Sequence, residues 1–197
     1  MLIADNRYQA ILADPPWGYR DRRKGHGGAR DHYPTMSLES IKAIPVGERL
    51  AAINSMLFLW SPAPLLPACL DVMACWGFRY RTVAFVWIKT CAKKRKPCGC
   101  QTPRMGMGGY TRSEAEIVLI GTRGSPRVGA DVRQTFEAPL GAHSAKPALI
   151  HDRILRLVGC VPRLEMFARR EVAGWDCTGL EADGYDIRDL KRERGTK

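Results

Sequence analysis

Five short apolar runs rich in β-branched and aromatic residues recur along the chain. They are Tyr8 to Ala13, Met56 to Trp60, Val83 to Ile88, Ile117 to Ile120 and Leu164 to Ala168. Runs of this length that lack strict polar alternation are typical of strands covered on both faces of a sheet. The pattern therefore predicts a buried sheet.

Three segments between these runs carry apolar residues at helical spacing, namely Leu38 to Ile44, Leu65 to Trp76 and Ala145 to Val158. In the last segment Ser144 is a predicted N-cap, and Pro147 falls in the first turn, where proline is tolerated. Alternating strands and helices predict an α/β fold with a mostly parallel sheet and helices on both faces. Sheets of this kind bind their ligands beyond the carboxyl ends of the strands.

Three long segments that are polar or rich in glycine follow predicted strands. They are Asp14 to Tyr33, Lys89 to Tyr110 and Arg169 to Gly184. Long connections within a small domain are often functional, and these three start at the edge where ligands bind. We expect the functional site to be built from them.

The length of 197 residues suits one compact domain. We expect a single domain over residues 1–187 and a charged, flexible tail over residues 188–197. The apolar runs are too short to cross a bilayer, and the start of the chain does not resemble a secretory signal. A cytoplasmic protein without membrane contact is therefore expected. Seven cysteines, an odd number, favour reduced thiols over a disulfide framework.

The charge balance favours a polyanionic partner. The chain has 31 basic and 20 acidic residues and a net charge of +11, which concentrates nucleic acid at a protein surface. Lys94 and Arg95 belong to a basic run that is predicted to contact phosphates or to form a solvated loop. Cys91, Cys98 and Cys100 lie in the same loop but lack the fourth ligand and paired spacing of a zinc site, so no metal is predicted.

The tetrapeptide Asp14-Pro15-Pro16-Trp17 directly follows the first predicted strand. A carboxylate, a rigid backbone carbonyl and an aromatic ring at this edge suit the activation of an amine on an aromatic ring. The exocyclic amine of adenine is one example, and it is a poor nucleophile because its lone pair is delocalised into the ring. Hydrogen bonds to the Asp14 carboxylate and the Pro15 carbonyl would pull that nitrogen towards a nucleophilic state, and the proline rings hold the carbonyl in place. Trp17 offers a face for stacking an extruded or single-stranded base, worth about 1 to 3 kcal/mol. The same residues also suit a turn with a capping aspartate and a core tryptophan.

Further segments extend this motif in a fixed order. They are His32-Tyr33-Pro34-Thr35-Met36-Ser37, Leu57-Phe58-Leu59-Trp60, Trp87-Ile88-Lys89-Thr90, Gly109-Tyr110-Thr111-Arg112-Ser113-Glu114, His143-Ser144-Ala145-Lys146-Pro147 and Leu164-Glu165-Met166-Phe167-Ala168-Arg169. Together with Ala13 to Trp17, the set resembles the MT-A70 family of adenine N6 methyltransferases in its small bacterial and phage form, from Ile11 to about Glu181.

The resemblance implies S-adenosylmethionine as cofactor and a Rossmann-like methyltransferase fold. The motif order is permuted in such a fold, with the catalytic strand ahead of the cofactor strand. No G-x-G-x-x-G follows the first predicted strand, and the family instead uses the segment after Phe167. The cofactor-binding residues implied are Asp14, Lys146, Arg169 and Glu181. The substrate-binding residues expected are Trp17, Tyr33, Lys94, Arg95, Tyr110 and Arg112, with Tyr33 in a loop that closes over the site.

Two positions depart from the pattern that the resemblance implies. Leu180 stands where a ribose-binding asparagine is expected, and Ala148-Leu149 follow Lys146-Pro147 where acidic residues are common. Leu180 lacks the amide that is expected to contact the cofactor ribose, so this departure bears most directly on the affinity for the cofactor.

The preferred hypothesis is adenine N6 methylation of DNA, with RNA as the alternative substrate. A second hypothesis is a catalytically silent subunit that binds nucleic acid, and a third is methylation of a small molecule or protein amine, which the net charge of +11 disfavours. Two further hypotheses concern assembly, namely a homodimer and a complex with a partner subunit.

Overall fold

The computed structural model describes residues 7–18, 35–95, 101–104, 106, 110–129, 131–141 and 145–190, with backbone alone for 92–95 and 101–102. The strands of this part are β1 (Tyr8–Ala13), β2 (Ala51–Ser61), β3 (Arg79–Arg95), β4 (Gln101–Pro103), β5 (Ala115–Arg123), β6 (Thr135–Pro139), β7 (Arg163–Met166) and β8 (Asp176–Thr178). The α-helices are α1 (Leu38–Lys42), α2 (Leu66–Cys75) and α3 (Leu149–Val158). Shorter helical turns span Val46–Leu50, Ala63–Leu65 and Ile187–Asp189.

The eight strands form one sheet in the order β4-β3-β5-β2-β1-β7-β8, and β6 also pairs with β3. Strands β2, β1, β7 and β8 are parallel to one another, as predicted. The other half is different, because β5 runs antiparallel to both of its neighbours, β2 and β3. The sheet is therefore mixed rather than mostly parallel, and the amino end of β5 lies at the same edge as the carboxyl ends of β1 and β2.

Alternate residues of β1 point into two separate apolar clusters, as the period of a strand requires. Ile11 and Ala13 pack in a cluster that also contains apolar side chains of α1 and α2. Ala10 and Leu12 pack in the other, which contains apolar side chains of α3. Helices of the described part of the chain therefore pack against both of these clusters.

Helix α3 begins at Leu149, four residues after the predicted start at Ala145. Pro147 accepts a hydrogen bond from the Ile150 N–H at 3.2 Å, and Lys146 lies before the helix and not in its first turn. No side chain caps the helix, and the predicted cap Ser144 lies outside the described residues. Burial of Ile150 and Ile154 on one face explains why the helical pattern was visible in sequence.

One predicted boundary is wrong. The loop predicted from Lys89 begins instead as a continuation of β3, which runs to Arg95 and pairs with β4. Ile187 and Leu190 are buried in the core, and residues 191–197 lie outside the described part of the chain. Within the described residues, none of the helices is long and apolar enough to cross a membrane.

Candidate active site

A cavity of about 750 Å³ opens at the carboxyl ends of β1, β2 and β7. Asp14 follows β1, Ser61 ends β2, and Phe167 follows β7. Cavities of about 300 to 1,000 Å³ are typical of sites for small molecules and cofactors. The edge predicted from sequence is therefore the edge at which the cavity lies.

Four charged side chains alternate in sign across the floor of this cavity. Lys146 Nζ lies 2.7 Å from Asp14 Oδ2 and 3.4 Å from Glu116 Oε2. Glu116 Oε1 in turn lies 2.8 Å from Lys89 Nζ. The Lys146 ammonium also lies 5.3 Å from the centre of the Trp60 ring, within cation–π range. Lys146 is thus held by two carboxylates and an aromatic face.

Burial and charge act against each other in this cluster. Burial raises the pKa of Asp14 above its ordinary value, although Lys146 opposes the rise. At Lys146 burial acts to lower the pKa, but the attraction of Asp14 and Glu116 outweighs it and the pKa is raised. Burial would raise the pKa of Glu116, yet Lys146 and Lys89 lower it. Lys146 therefore stays charged, while Asp14 takes up a proton more readily than an ordinary aspartate as pH falls.

The backbone of the tetrapeptide is fixed by two hydrogen bonds. The Trp17 N–H donates to the Pro15 carbonyl at 2.7 Å, and the Met36 N–H donates to the Pro16 carbonyl at 2.9 Å. A carbonyl oxygen has two lone pairs, so Pro15 keeps one free for a ligand. The Trp17 side chain is only 7% exposed and packs in the core, although it also lines the cavity. Its buried indole N–H has no hydrogen-bond partner in the described structure.

Another part of the cavity wall comes from the segments after β7 and β8. Arg169 Nε donates to both oxygens of Glu181, at 3.0 and 3.1 Å. Asp183 holds this wall together, because its Oδ1 accepts from the Gly179 and Tyr185 N–H groups at 3.0 Å each. Charged and apolar groups thus line this wall together, as a nucleoside with an amino-acid tail requires. The residues present fit S-adenosylmethionine.

Gly179 marks a close approach of two backbone segments. A Cβ atom on Gly179 would lie 2.3 Å from the Ala168 oxygen and 2.6 Å from the Ala168 nitrogen. We expect Gly179→Ala to push these segments apart, lowering the free energy of unfolding by about 1 to 3 kcal/mol and weakening cofactor binding. Urea unfolding and calorimetric titration measure the two effects. Gly141→Ala is the matched control, because its new Cβ would lie 3.6 Å from the nearest atom; an equal loss in both variants would contradict the expectation.

The structure brings most of the predicted site residues together. Those that line the cavity are Asp14, Pro15, Pro16, Trp17, Tyr110, Lys146, Arg169 and Glu181. Arg112 is exposed and is not part of the cavity wall. Tyr33 lies outside the described residues. Lys94 and Arg95 lie in the last residues of β3, and their side chains are outside the described part.

Sequence reasoning missed Lys89 and Glu116 as site residues. Each lies directly beside a predicted strand, so a signal was present. A mostly parallel sheet, however, would place the amino end of β5, where Glu116 lies, at the opposite edge from Asp14. Antiparallel β5 reverses this expectation. Tyr185 to Arg188 were also missed as part of the cavity wall. Among the described residues, no group of three or more His, Cys, Asp and Glu side chains is arranged to hold a metal ion.

Comparison with known proteins gives the same family as the motifs. The chain is 33% identical over 195 residues to the type II methyltransferase M.MunI of a Mycoplasma species, covering 89% of this chain and 78% of that protein. It is also 28% identical over 183 residues to the N6-methyladenosine RNA methyltransferase MTA1 of Cryphonectria parasitica. That match covers 88% of this chain but only 51% of the relative. The sequence model of the MT-A70 family matches residues 8–181, and the chain therefore belongs to the MT-A70 family of S-adenosylmethionine-dependent methyltransferases.

Proposed function

We propose that this protein transfers a methyl group from S-adenosylmethionine to the N6 amine of adenine in DNA. The observation that carries the proposal is the pair of acceptors at the cavity floor. The Asp14 carboxylate is held by Lys146 at 2.7 Å, and the Pro15 carbonyl is fixed by the Trp17 N–H beside it. Two fixed acceptors side by side suit the two N–H bonds of an amine.

The proposed chemistry needs little movement within the protein. S-adenosylmethionine, when bound, supplies an electrophilic methyl group on a positively charged sulfur. The Asp14 carboxylate and the Pro15 carbonyl accept hydrogen bonds from the adenine amine and draw its lone pair out of the ring. Because both acceptors are fixed before the substrate arrives, no reorganisation is required at the moment of reaction. Lys146 holds the Asp14 carboxylate in one orientation and opposes the rise of its pKa that burial causes.

The target base has to leave the DNA stack to reach this floor. The part of the Trp17 ring that lines the cavity is available to the base. The indole N–H of Trp17 has no hydrogen-bond acceptor among the described residues. Tyr110 is fully exposed and also lines the cavity. We place Tyr110 against a neighbouring base, where aromatic stacking contributes about 1 to 3 kcal/mol.

Arg169 and Glu181 form the cofactor end of the cavity in this proposal. Their ion pair lies beyond the carboxyl end of β7, where a Rossmann-like sheet holds its ligands. The permuted motif order belongs to the same proposal: β1 supplies the catalytic residues and β7, near the end of the chain, supplies those for the cofactor. Helices on both faces of the sheet complete the fold that we propose.

Leu180 provides a gain-of-function test of the cofactor end. This side chain lines the cavity and is 61% exposed, so it contributes no polar contact to a ribose. Leu180→Asn is expected to tighten cofactor binding about fivefold, because one added hydrogen bond contributes about 1 kcal/mol. Calorimetric titration with S-adenosylhomocysteine measures the change. Leu149→Asn, at a 41% exposed leucine on α3, is the control. Weaker binding in Leu180→Asn would contradict the assignment of this wall.

The choice of DNA follows the similarity to a type II methyltransferase, and the net charge of +11 suits either nucleic acid. The test is incubation with methyl-labelled cofactor and, in parallel, duplex DNA, single-stranded DNA and RNA, followed by digestion and chromatography. We expect N6-methyl-2′-deoxyadenosine. Label in RNA alone would favour the RNA alternative. Cofactor binding without label in any nucleic acid would contradict the proposal. Absence of cofactor binding would favour a catalytically silent subunit.

The remaining expectations concern assembly and location. Light scattering of the protein with and without DNA tests for a homodimer, and affinity purification of the tagged protein tests for a partner subunit. The cytoplasmic location expected from sequence stays a prediction.

A further inference from the structure

The segment Tyr185 to Leu190 forms part of the wall of the active-site cavity. Ile187 and Leu190 are buried in the core, at 3% and 9% exposed, and they fix the segment to the rest of the domain. Tyr185 and Arg188 line the cavity. The segment lies beyond residue 181, where the match to the MT-A70 model ends. Its contacts with a ligand are therefore not given by membership of the family.

The Arg188 guanidinium is held along one edge by Asp186. Its Nε lies 2.8 Å from Asp186 Oδ1 and 2.7 Å from Oδ2, and its Nη2 also donates to Oδ2. The Arg188 backbone N–H donates to Oδ1 of the same carboxylate at 3.0 Å. These hydrogen bonds lower the pKa of Asp186, so the carboxylate stays ionised at neutral pH. Asp186 therefore fixes the plane in which the guanidinium lies.

Another edge of the same guanidinium is available to a ligand. Arginine has five N–H donors, and Asp186 occupies the one on Nε and one of the two on Nη2. Neither N–H of Nη1 has a hydrogen-bond partner within the described part of the chain. The Arg188 side chain is 57% exposed, so an anion can reach it from solvent. A planar fork of N–H groups with a fixed orientation suits two oxygens of a phosphate or carboxylate.

The exposure of Arg188 distinguishes it from the two lysines of the cavity floor. The Lys89 and Lys146 side chains are 19% and 18% exposed, and protein carboxylates hold both of them. Arg188 therefore lies nearer to the mouth of the cavity. A cofactor-sized ligand is mostly enclosed by its pocket, whereas the phosphates of a nucleotide remain at the surface when its base is extruded into a site. A cation at the mouth thus favours a phosphate.

We propose that Arg188, oriented by Asp186, binds a phosphate of the nucleotide that carries the target adenine. This inference rests on the proposed function and adds to it the contact that anchors the nucleotide. Arg188 holds the phosphate at the mouth of the cavity while Asp14 and Pro15 bind the amine at the floor. Contacts of this kind fix the position of a nucleic acid on a protein without reading its sequence.

The test uses the target nucleotide alone, so neither a recognition sequence nor the extrusion of a base from a duplex is needed. The protein is first saturated with S-adenosylhomocysteine, which occupies the cofactor site. Calorimetric titration then compares 2′-deoxyadenosine with its 5′- and 3′-monophosphates in wild type, Arg188→Gln and the control Arg127→Gln. Arg127 is exposed and does not line the cavity, and it follows the carboxyl end of β5, away from the edge where the cavity opens.

In wild type and Arg127→Gln we expect one of the two monophosphates to bind about tenfold more tightly than the nucleoside, because hydrogen bonds between charged groups are strong. Arg188→Gln is expected to bind all three compounds with similar affinity and to keep the circular dichroism of wild type. Arg188→Lys keeps the charge but not the planar fork, and an intermediate preference is expected. The wild-type preference in Arg188→Gln, or no preference in wild type, would overturn the inference.

A second titration distinguishes a phosphate from the carboxylate of the cofactor, the other anion in the reaction. It compares S-adenosylhomocysteine with its decarboxylated analogue in the same proteins, and we expect Arg188→Gln to keep the wild-type ratio of the two affinities. Loss of that ratio with the phosphate preference intact would assign Arg188 to the cofactor and overturn the inference. Absence of methyl transfer to DNA would instead count against the proposed function, and the nucleotide titrations would still decide what Arg188 binds.

Discussion

Replacing Asp14 by asparagine is expected to lower methyl transfer by about a thousandfold, because removal of one fixed transition-state contact costs about 10²- to 10³-fold and this one carries a charge. Asparagine keeps the size of the side chain but places an N–H donor or a neutral oxygen where the carboxylate accepted. Single-turnover transfer of labelled methyl to duplex DNA measures the effect. Circular dichroism and a DNA-binding titration are expected to match wild type.

Asp131→Asn is the matched control, because Asp131 is exposed and does not line the cavity. It changes the net charge by the same amount as Asp14→Asn and is expected to keep wild-type turnover. Near-normal turnover in Asp14→Asn would show that the tetrapeptide is not the catalytic core.

Replacing Lys146 by methionine is expected to produce the second-largest loss, about a hundredfold at neutral pH. The cation is the main influence that opposes the effect of burial on Asp14, so its removal raises the pKa of that carboxyl further. Asp14 is then protonated over a wider range of pH, and a protonated carboxyl group cannot accept hydrogen bonds with both oxygens. Transfer by Lys146→Met should therefore recover as pH rises, since the carboxyl ionises only at higher pH. A pH profile of single-turnover transfer shows this shift.

The same variant is expected to lower the free energy of unfolding by about 3 kcal/mol, since Asp14 and Glu116 lose the cation between them. Lys42→Met is the control. Lys42, the last residue of α1, lies 3.5 Å from Glu39 and 3.8 Å from Asp71 of α2, and it does not line the cavity. An unchanged pH profile in Lys146→Met would contradict the role given to the lysine.

Much of the sheet could be predicted from the sequence because it rests on local pattern. The run Tyr8 to Ala13 matches β1 at both ends, since a strand buried on both faces is apolar along its whole length. Asp14 could be placed at the ligand edge for the same reason. Strands β6 and β8 were missed because they are short and contain polar residues. In β6 exposed and buried side chains alternate, and β8 has only three residues.

The partners of Lys146 could not be predicted, because they depend on strand direction. Sequence pattern gives no sign that β5 lies between β2 and β3 and runs against both. That arrangement alone brings Glu116 to the edge where Asp14 lies. The start of α3 at Leu149 was equally hidden, since Pro147 tolerates both a first turn and an extended lead-in. The described structure pairs Lys146 with two protein carboxylates, and its part in cofactor binding stays a prediction.

The central claim is that Asp14 and Pro15 activate the exocyclic amine of adenine. Its most direct test uses a duplex whose adenines carry ¹⁵N at N6, incubated with the protein and S-adenosylmethionine and then digested for mass spectrometry and NMR. We predict that the added methyl group is bonded to the labelled nitrogen in the wild-type product and is missing with Asp14→Asn. A methyl group on a ring nitrogen of adenine or on cytosine, or equal product from both proteins, would contradict the account.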